Sequence, residues 1–377
     1  MARRNVTVAF CIFSVLFFAS RSFFYSLFFN EGFEVIVISI DRNRDFSPEC
    51  VSLLQSLSVP FPVLLIDTHV LQLLHFEKCD QISDLKIKVG VDKNVLKINN
   101  SGTSFEFIEM KNRTNKDYVE FSTNPRRAVP KYFNTFSIGN IRIPSEIPLF
   151  LGMWRRGAML DCLKLPIQRN MTRNQQVNHG KRAAEKLAQL RDLLLQFNMF
   201  SFLNGGTLLG WFRECGFIPH TADVDIAMFA EDFRPEIVRY LLSRTSPFRL
   251  IRKLGMLNDS FELTVATKSG YLVHIDLFLM YKEIKEDGTI ANWVGGASID
   301  KKYKYVYPQY DPWCSADILG FLFWVTCSPE KMLRFEYGNL WYKDFPSDEY
   351  DWKTTPRNVM ENGKWNKEEM KEVYRLY

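Results

Sequence analysis

The sequence lacks the signatures of several common classes of protein. It has no C-x-x-C pair, which argues against a zinc ribbon, and no lysine and arginine cluster or RNA-binding signature. The net charge is only +5 over 377 residues. Nucleic acid is therefore not expected as a partner. Disorder is not expected to dominate either, because 46% of the residues are hydrophobic and 15% are aromatic. The length is sufficient for two domains with cores of their own.

The N-terminus does carry a long apolar run. Arg3 and Arg4 precede it, and residues 6–29 contain a single charge, Arg21. This is about the length of a helix that spans a bilayer, with the arginine placed to reach the far interface. The positive charges before the run predict a cytosolic N-terminus. We therefore predict that residues 1–30 are a cytosolic tip and transmembrane signal-anchor and that the rest is lumenal; a cleaved signal peptide is the alternative.

Cysteines and glycosylation motifs agree with that location. Apart from Cys11 in the apolar run, the cysteines are even in number, which permits up to three disulfides and fifteen possible pairings in an oxidising lumen. They are Cys50, Cys79, Cys162, Cys215, Cys314 and Cys327. N-glycosylation motifs begin at Asn99, Asn112, Asn170 and Asn258.

Residues 31–150 are predicted to form a smaller α/β domain. Residues 34–41 and 61–67 have the continuous apolar pattern of buried strands, and a helix is expected directly after the second. Short strands separated by polar turns follow over residues 90–148, with no repeat and no catalytic constellation. This part offers no candidate chemistry.

A connector at 151–176 precedes a second domain at 177–377. This part opens with an apolar-faced helix, GKRAAEKLAQLRDLLLQF, and then alternates strands and helices. The alternation predicts an α/β domain with a mixed β-sheet.

Two aspartates in the segment ADVDIAMF are the first chemical signal. Asp223 and Asp225 are two residues apart, so on a strand they share one face. Carboxylates this close repel each other unless a cation lies between them, and Mg²⁺ or Mn²⁺ is the usual solution. The alternative is a solvent-exposed strand end without a ligand.

Three neighbouring features favour the metal site. Gly205 and Gly206 lie between a strand and a helix, where the backbone can approach a phosphate, and Thr207 adds a hydroxyl. Asp276 is a third carboxylate in an apolar strand, where burial is costly without a partner. Together these residues predict the site of a metal-dependent nucleotidyltransferase, with Asp223, Asp225 and Asp276 as metal ligands and catalytic acids.

The same residues carry a family resemblance. The segment NGGTLLGWFRECGFIPHTADVDIAMF resembles the LicD/fukutin-type nucleotidyltransferase family, and the similarity continues through LVHIDLFLMY and FEYGNLW to DWKTTPRNVMENGKW. It covers roughly residues 180–377.

The resemblance implies a Golgi type II membrane transferase (the endoplasmic reticulum being the other possible location). It would transfer ribitol 5-phosphate from CDP-ribitol to the O-mannosyl glycan of a dystroglycan-like glycoprotein and release CMP. The aspartates match the family's metal ligands, and Gly205, Gly206 and Thr207 match its phosphate-binding turn. In the expected mechanism the acceptor hydroxyl attacks phosphorus in line, while Asp276 helps to deprotonate it. Related glycosyltransferases are further expected partners.

Other residues are weaker candidates. Arg213 and Lys304 are predicted to contact the donor's phosphates, although each could instead be a surface side chain. Glu262 is a possible addition to the metal shell, and Trp293 a possible cover for a base or sugar, whereas His220 is expected to be structural.

Alternative functions remain open at this point. Glycerol phosphate or phosphocholine would suit the same metal site as ribitol phosphate. A D-x-D pair also binds sugar nucleotides in glycosyltransferases, although that chemistry needs no glycine turn or third acid. A non-catalytic scaffold for glycosylation enzymes is the third possibility.

Overall fold

The computed structural model describes residues 46–377 except 58, 83–84, 97–103, 170–179 and 312. Within them the helices are α1 (Pro48–Ser56), α2 (Thr68–His75), α3 (Ile147–Arg155), α4 (Gly180–Gln196), α5 (Gly205–Glu214), α6 (Glu236–Leu242), α7 (Pro329–Tyr337) and α8 (Met370–Val373). The N-terminal strands are β1 (Val63–Leu65), β2 (Ile87–Val91), β3 (Phe105–Lys111), β4 (Tyr118–Phe121), β5 (Arg127–Pro130), β6 (Thr135–Ile138), β7 (Ile141–Pro144) and β8 (Ala158–Met159). The C-terminal strands are β9 (Phe202–Leu203), β10 (Asp223–Phe229), β11 (Phe248–Met256), β12 (Asp259–Thr267), β13 (His274–Ile284), β14 (Ile290–Ser298), β15 (Lys301–Pro308), β16 (Trp313–Ile318), β17 (Phe321–Thr326), β18 (Val359–Lys364) and β19 (Tyr374–Leu376).

Several elements follow directly from local sequence chemistry. Helix α2 begins where the Asp67 carboxylate accepts from the backbone N–H groups of His69 and Val70, which satisfies two donors of the first turn. Helix α7 has proline in its first turn, and Gly338 follows its end at φ 78°. Helix α2 confirms the helix predicted directly after residues 61–67.

One hydrogen-bonded sheet runs through both parts of the chain. Strand β5 pairs with β8, β8 pairs in parallel with β16, and β17 pairs in parallel with β9. Strand β9 then joins β10, and β10 pairs in parallel with β13. The mixed sheet predicted for the C-terminal part is present, and it continues into the strands of residues 118–130. The domain boundaries at 150 and 177 stay a prediction.

The two faces of the C-terminal sheet differ in what covers them. The face that includes Val224, Ile226 and Leu277 packs against α4, α5 and α6 in one apolar cluster. The opposite face includes Ala227 and Met280 and belongs to a second cluster, which extends into the N-terminal part. Because side chains alternate along a strand, Asp223 and Asp225 share the face of Ala227.

The cysteine pairing left open by the sequence is resolved. The disulfides are Cys50–Cys79, Cys162–Cys215 and Cys314–Cys327. The second joins the segment after β8 to Cys215, the residue directly after α5, which has a left-handed φ of 63°.

The predicted membrane anchor requires correction. A membrane span needs about 20 predominantly apolar residues, and among the described residues no helix is long and apolar enough to cross a bilayer. Helix α4, at 17 residues, carries several charged side chains. This finding does not support the predicted transmembrane signal-anchor or the single-pass Golgi membrane location, and neither is carried further. The apolar run at 6–29 and the strand predicted at 34–41 lie outside the described residues.

Candidate active site

Three aspartates lie together near the N-terminal ends of the parallel strands β10 and β13. Asp225 is directly opposite Asp276 in the register, and Asp223 is on the same face as both. One carboxylate oxygen from each lies within 4.8 Å of the others. Asp223 is exposed, whereas Asp225 and Asp276 are half-buried. The sheet thus brings together the three acids that the sequence singled out.

The diglycine turn approaches these acids closely. Gly205 has a φ of 49°, and a Cβ at that position would lie 3.2 Å from Asp225 Oδ2. Glycine is therefore required both by the left-handed backbone and by the nearby carboxylate. Thr207 fixes the strand, since its hydroxyl oxygen accepts from the Asp225 backbone N–H at 2.8 Å. The N-terminus of α5 thus lies beside the acid pair, where its N–H groups favour an anion.

A second group of polar residues supports the third acid. Thr264, on β12, donates its hydroxyl to Asp276 Oδ1 at 2.5 Å. Glu262, two residues earlier on the same strand, forms an ion pair with Arg252, whose guanidinium also lies 3.8 Å from Asp276. Among the described residues, Arg252 is the one cation within ion-pair distance of any of the three aspartates, and it reaches Asp276 alone.

The electrostatics show a site with too little positive charge. Burial raises the pKa of Asp225 well above its ordinary value, and repulsion by Asp223 and Asp276 raises it further. Burial also raises the pKa of Asp276, against the lowering effects of Thr264 and Arg252. The pKa of Glu262 is raised to about 7, by burial first and by Asp276 second. A bound cation would reverse this repulsion.

The donor set fits a hard divalent cation. Its atoms are carboxylate oxygens that converge from two strands, which is the chemistry that Mg²⁺ and Mn²⁺ prefer. Asn204, which precedes α5, is 4% exposed, and its side-chain oxygen has no hydrogen-bond partner among the described residues. A buried acceptor of this kind requires an explanation, and a bound ion or ordered water near the site would supply one.

Sequence reasoning missed a buried acid near this site. Glu336, on α7, is 5% exposed and accepts a hydrogen bond from the Tyr307 hydroxyl at 2.8 Å. Burial raises its pKa to about 7, and its charge in turn raises the pKa of Asp225. Its neighbours come from β15 and from the segment after α7, so no local motif could have revealed it.

Two other candidates have structural contacts instead. Arg213 is 1% exposed and is paired with Glu214 at 2.6 Å and with Asp344 at 3.5 Å. Its guanidinium also donates to the backbone carbonyl of Lys343. His220 lies 3.1 Å from the same Asp344 carboxylate, which agrees with the structural role expected for it. The predicted phosphate contact of Arg213 is not supported by these contacts, since they hold the segment around Asp344 against α5.

Lys304 lies on the opposite face of the sheet from the aspartates. Met280 pairs with Val294, and Val294 pairs with Tyr305, so these three side chains share the aspartate face. Lys304 and Trp293 each adjoin one of them and point the other way. Lys304 is paired with Glu283 and lies 4.7 Å from the Trp293 ring. Neither the phosphate contact predicted for Lys304 nor a base-covering role for Trp293 agrees with this arrangement.

Comparison with known families agrees with this site. Residues 198–328, which contain the diglycine turn and all three aspartates, match the LicD/FKTN/FKRP nucleotidyltransferase domain. Residues 49–161 match the N-terminal domain described as W02B3.4-like. The resemblance noted in the sequence is thereby confirmed: the C-terminal part carries a LicD/FKTN/FKRP-type nucleotidyltransferase domain.

Individual relatives define the family of the whole chain. The uncharacterized protein T07A5.1 of Caenorhabditis elegans is 61% identical over 353 residues, which cover 93% of each chain. W02B3.4 of the same organism is 45% identical over 331 residues, covering 87% of this chain and 85% of the relative. The chain belongs to the family of these two proteins. The ribitol-5-phosphate transferase FKTN of Mus musculus is 34% identical over 199 residues, covering 52% of this chain and 41% of the relative.

Proposed function

We propose that the protein is a metal-dependent transferase of an alditol phosphate. The donor is CDP-ribitol, the acceptor is a hydroxyl of the O-mannosyl glycan of a dystroglycan-like glycoprotein, and CMP is released. The observation that carries this proposal is the convergence of three aspartates within 4.8 Å beside the N-terminus of α5. The similarity to FKTN over 199 residues supports the choice of ribitol phosphate.

Asp223, Asp225 and Asp276 would hold the cation, Mg²⁺ or Mn²⁺. When bound, it supplies positive charge for the phosphate oxygens and for the oxygen that leaves with CMP. The site fits a divalent cation both in its charge and in its oxygen ligands. Three carboxylates lie there with a single arginine, which is already partly engaged with another group.

The remaining steps depend on groups of the chain itself. The N–H groups at the start of α5 orient the donor's phosphate, and glycine at 205 lets the backbone come that close. The acceptor oxygen forms a bond to phosphorus while the bond from phosphorus to the CMP oxygen breaks. The hydroxyl proton passes to Asp276, whose Oδ1 accepts from Thr264 and is held in position by it.

The test combines the purified full chain with a panel of CDP conjugates. CDP-ribitol, CDP-glycerol and CDP-choline carry ³²P in the phosphate next to the alditol or choline, and an O-mannosyl glycopeptide is the acceptor. We expect divalent-dependent CMP release with CDP-ribitol and transfer of the label to the glycopeptide. Asp300→Asn, on the turn between β14 and β15, is the matched control for Asp225→Asn, because this carboxylate is only half-buried and is paired with Lys364 at 2.9 Å.

Each alternative function has its own outcome. Label transfer from CDP-glycerol or CDP-choline alone would replace the donor. Transfer of a sugar from a sugar nucleotide without phosphorus would identify a glycosyltransferase. A chain that turns over no donor, although it binds the divalent ion, would be a scaffold, and the proposed activity would be abandoned.

A further inference from the structure

Trp352 is a half-exposed aromatic side chain that the acid cluster does not explain. It lies in the segment after α7, and 38% of it is exposed. Its ring lies directly over β14, because a Cβ added to Gly296 would be 2.9 Å from Trp352 Cζ3. Tyr303 contacts it edge-on, with ring centroids 5.3 Å apart and an interplanar angle of 73°. The indole is therefore held in place and still accessible to a ligand.

This ring lies on the same side of the sheet as the aspartates. Gly296 is two residues from Val294 and Tyr303 is two residues from Tyr305, so all four positions share the face of Met280. The aspartates lie on that face too, because Asp276 and Met280 are four residues apart on β13.

Tyr305 connects the ring to the acid cluster. Its hydroxyl donates to the backbone carbonyl of Trp352. Burial raises the pKa of this tyrosine, and the charges of Asp225 and Glu262 contribute to the rise, so its phenol lies within their electrostatic reach. The backbone of Trp352 is thus held by a tyrosine whose phenol the charges of Asp225 and Glu262 affect.

We propose that Trp352, supported by Tyr303, is the platform on which the nucleobase of the donor stacks. The proposal rests on the function proposed above, because it assumes a nucleotide donor. The aspartates and the start of α5 hold the phosphate end, and the donor's base is a flat aromatic group that must lie to one side of them. An accessible indole on the same face offers the matching surface, since every base has a π-face that stacks on aromatic side chains.

The chain provides a matched control for this residue. Trp293 lies on β14, the strand beneath the Trp352 ring, but points to the opposite face, where it stacks on Tyr281 at 4.5 Å and 26°. Replacing Trp293 removes another indole close to the Trp352 site but leaves the aspartate face unchanged.

The experiment measures CMP binding to the full chain by calorimetry, in EDTA and in Mg²⁺. Trp352→Ala should weaken CMP binding about tenfold or more, the usual effect of removing a ring that stacks on a base. Trp352→Phe should stay within about threefold of the wild type, because it keeps a π-face. Trp293→Ala should stay within the same range. Trp352→Leu keeps an apolar side chain over Gly296 and carries the test if the alanine variant does not fold.

Two results would overturn the proposal. One is equal CMP affinity in Trp352→Leu and the wild type. The other is an unchanged CMP affinity of the Trp352 variants together with a raised KM for the glycopeptide. That result would mean that the Trp352 ring stacks on a sugar of the acceptor.

The same measurements separate this proposal from the proposed function. If the wild type turns over no CDP conjugate but loses CMP affinity in the Trp352 variants, the nucleobase site stands and the proposed transferase reaction fails. If turnover is normal and the Trp352 variants bind CMP as the wild type does, the transferase reaction stands and the nucleobase site fails.

Discussion

The chain contains two groups of aspartates that differ in how their charge is balanced. Where the N-terminal and C-terminal parts meet, Asp117 pairs with Arg191 at 2.9 Å and accepts from the Leu322 backbone N–H at 2.8 Å. Nearby, Asp317 pairs with Lys116 and accepts from the backbone N–H of Gly320. Each of these carboxylates has a cation of the protein beside it, and Arg191 also pairs with Asp192 at 2.6 Å.

The group at the candidate active site lacks this compensation. One carboxylate oxygen each of Asp223, Asp225 and Asp276 lies within 4.8 Å of the others, and the single described cation in ion-pair range of any of them is Arg252, beside Asp276. The difference teaches that carboxylates neutralised by built-in cations hold a structure together. Carboxylates left to repel each other are positioned for a charge that arrives from outside.

The largest effect should come from removing the central acid of the uncompensated group. Asp225→Asn should lower turnover by roughly 10³-fold, because several kcal/mol of charge stabilisation depend on this ligand. The unfolding free energy of the variant should be unchanged or higher, since a half-buried carboxylate under repulsion is removed. Steady-state CMP release and urea unfolding measure the two quantities. Normal turnover in Asp225→Asn would mean that the uncompensated aspartates are no more important for activity than the compensated ones.

The reverse pattern should follow from a change in the compensated group. Arg191 is 3% exposed, so Arg191→Met leaves Asp117 and Asp192 without their partner and should cost about 3–5 kcal/mol of unfolding free energy. Turnover per folded molecule should be unchanged. The control is Arg334→Met, which breaks an exposed pair with Glu330 and should cost no more than about 0.5 kcal/mol. Similar losses in both variants would show that the compensated group is not a buried support.

The diglycine turn offers a finer test. Gly205→Ala places a side chain on a left-handed residue 3.2 Å from Asp225 Oδ2 and should cost roughly 1–2 kcal/mol of unfolding free energy. It should also weaken divalent-ion binding. Gly206→Ala is the matched control, because its Cβ would meet Asp225 Oδ2 at an ordinary 3.5 Å. Thermal unfolding with and without Mg²⁺ distinguishes the two, and equal behaviour would mean that the turn and the acid are independent.

The smallest expected effect concerns pH. Since Glu262 and Glu336 have folded-state pKa values raised to about 7, the folded protein binds more protons than the unfolded chain from about pH 4.5 to 7. Stability without metal should therefore fall as the pH rises across that window. Mg²⁺ should raise Tm more at pH 8 than at pH 6, with a shift on the order of 2 °C that is absent in Asp225→Asn. If the Mg²⁺-induced shift in Tm were the same at pH 6 and pH 8, this would argue against a metal at the three aspartates.

Short-range patterns predicted the parts of the site that depend on neighbouring residues. The alternation in ADVDIAMF placed Asp223 and Asp225 on one face, and the glycines correctly marked the start of α5. The sequence could not show that Lys304 lies on the face opposite the aspartates, because its face depends on the register of β15 against β14 and β13, which no local pattern contains. Arg213 is held by Asp344, 131 residues later, and Glu336 accepts a hydrogen bond from Tyr307, which lies on a different element. Such partners become visible only after folding.

The sheet that crosses from β5 through β8 to β16 limits how the molecule can move. Backbone hydrogen bonds from Ala128 to Gly157 and from Leu160 to Ser315 tie residues 118–130 to the strands that lead to the aspartates. The N-terminal part cannot swing like a hinged lid without breaking them. If a glycan touches both parts, the two surfaces that it contacts are therefore a fixed distance apart. Only an acceptor long enough to span that distance would contact both.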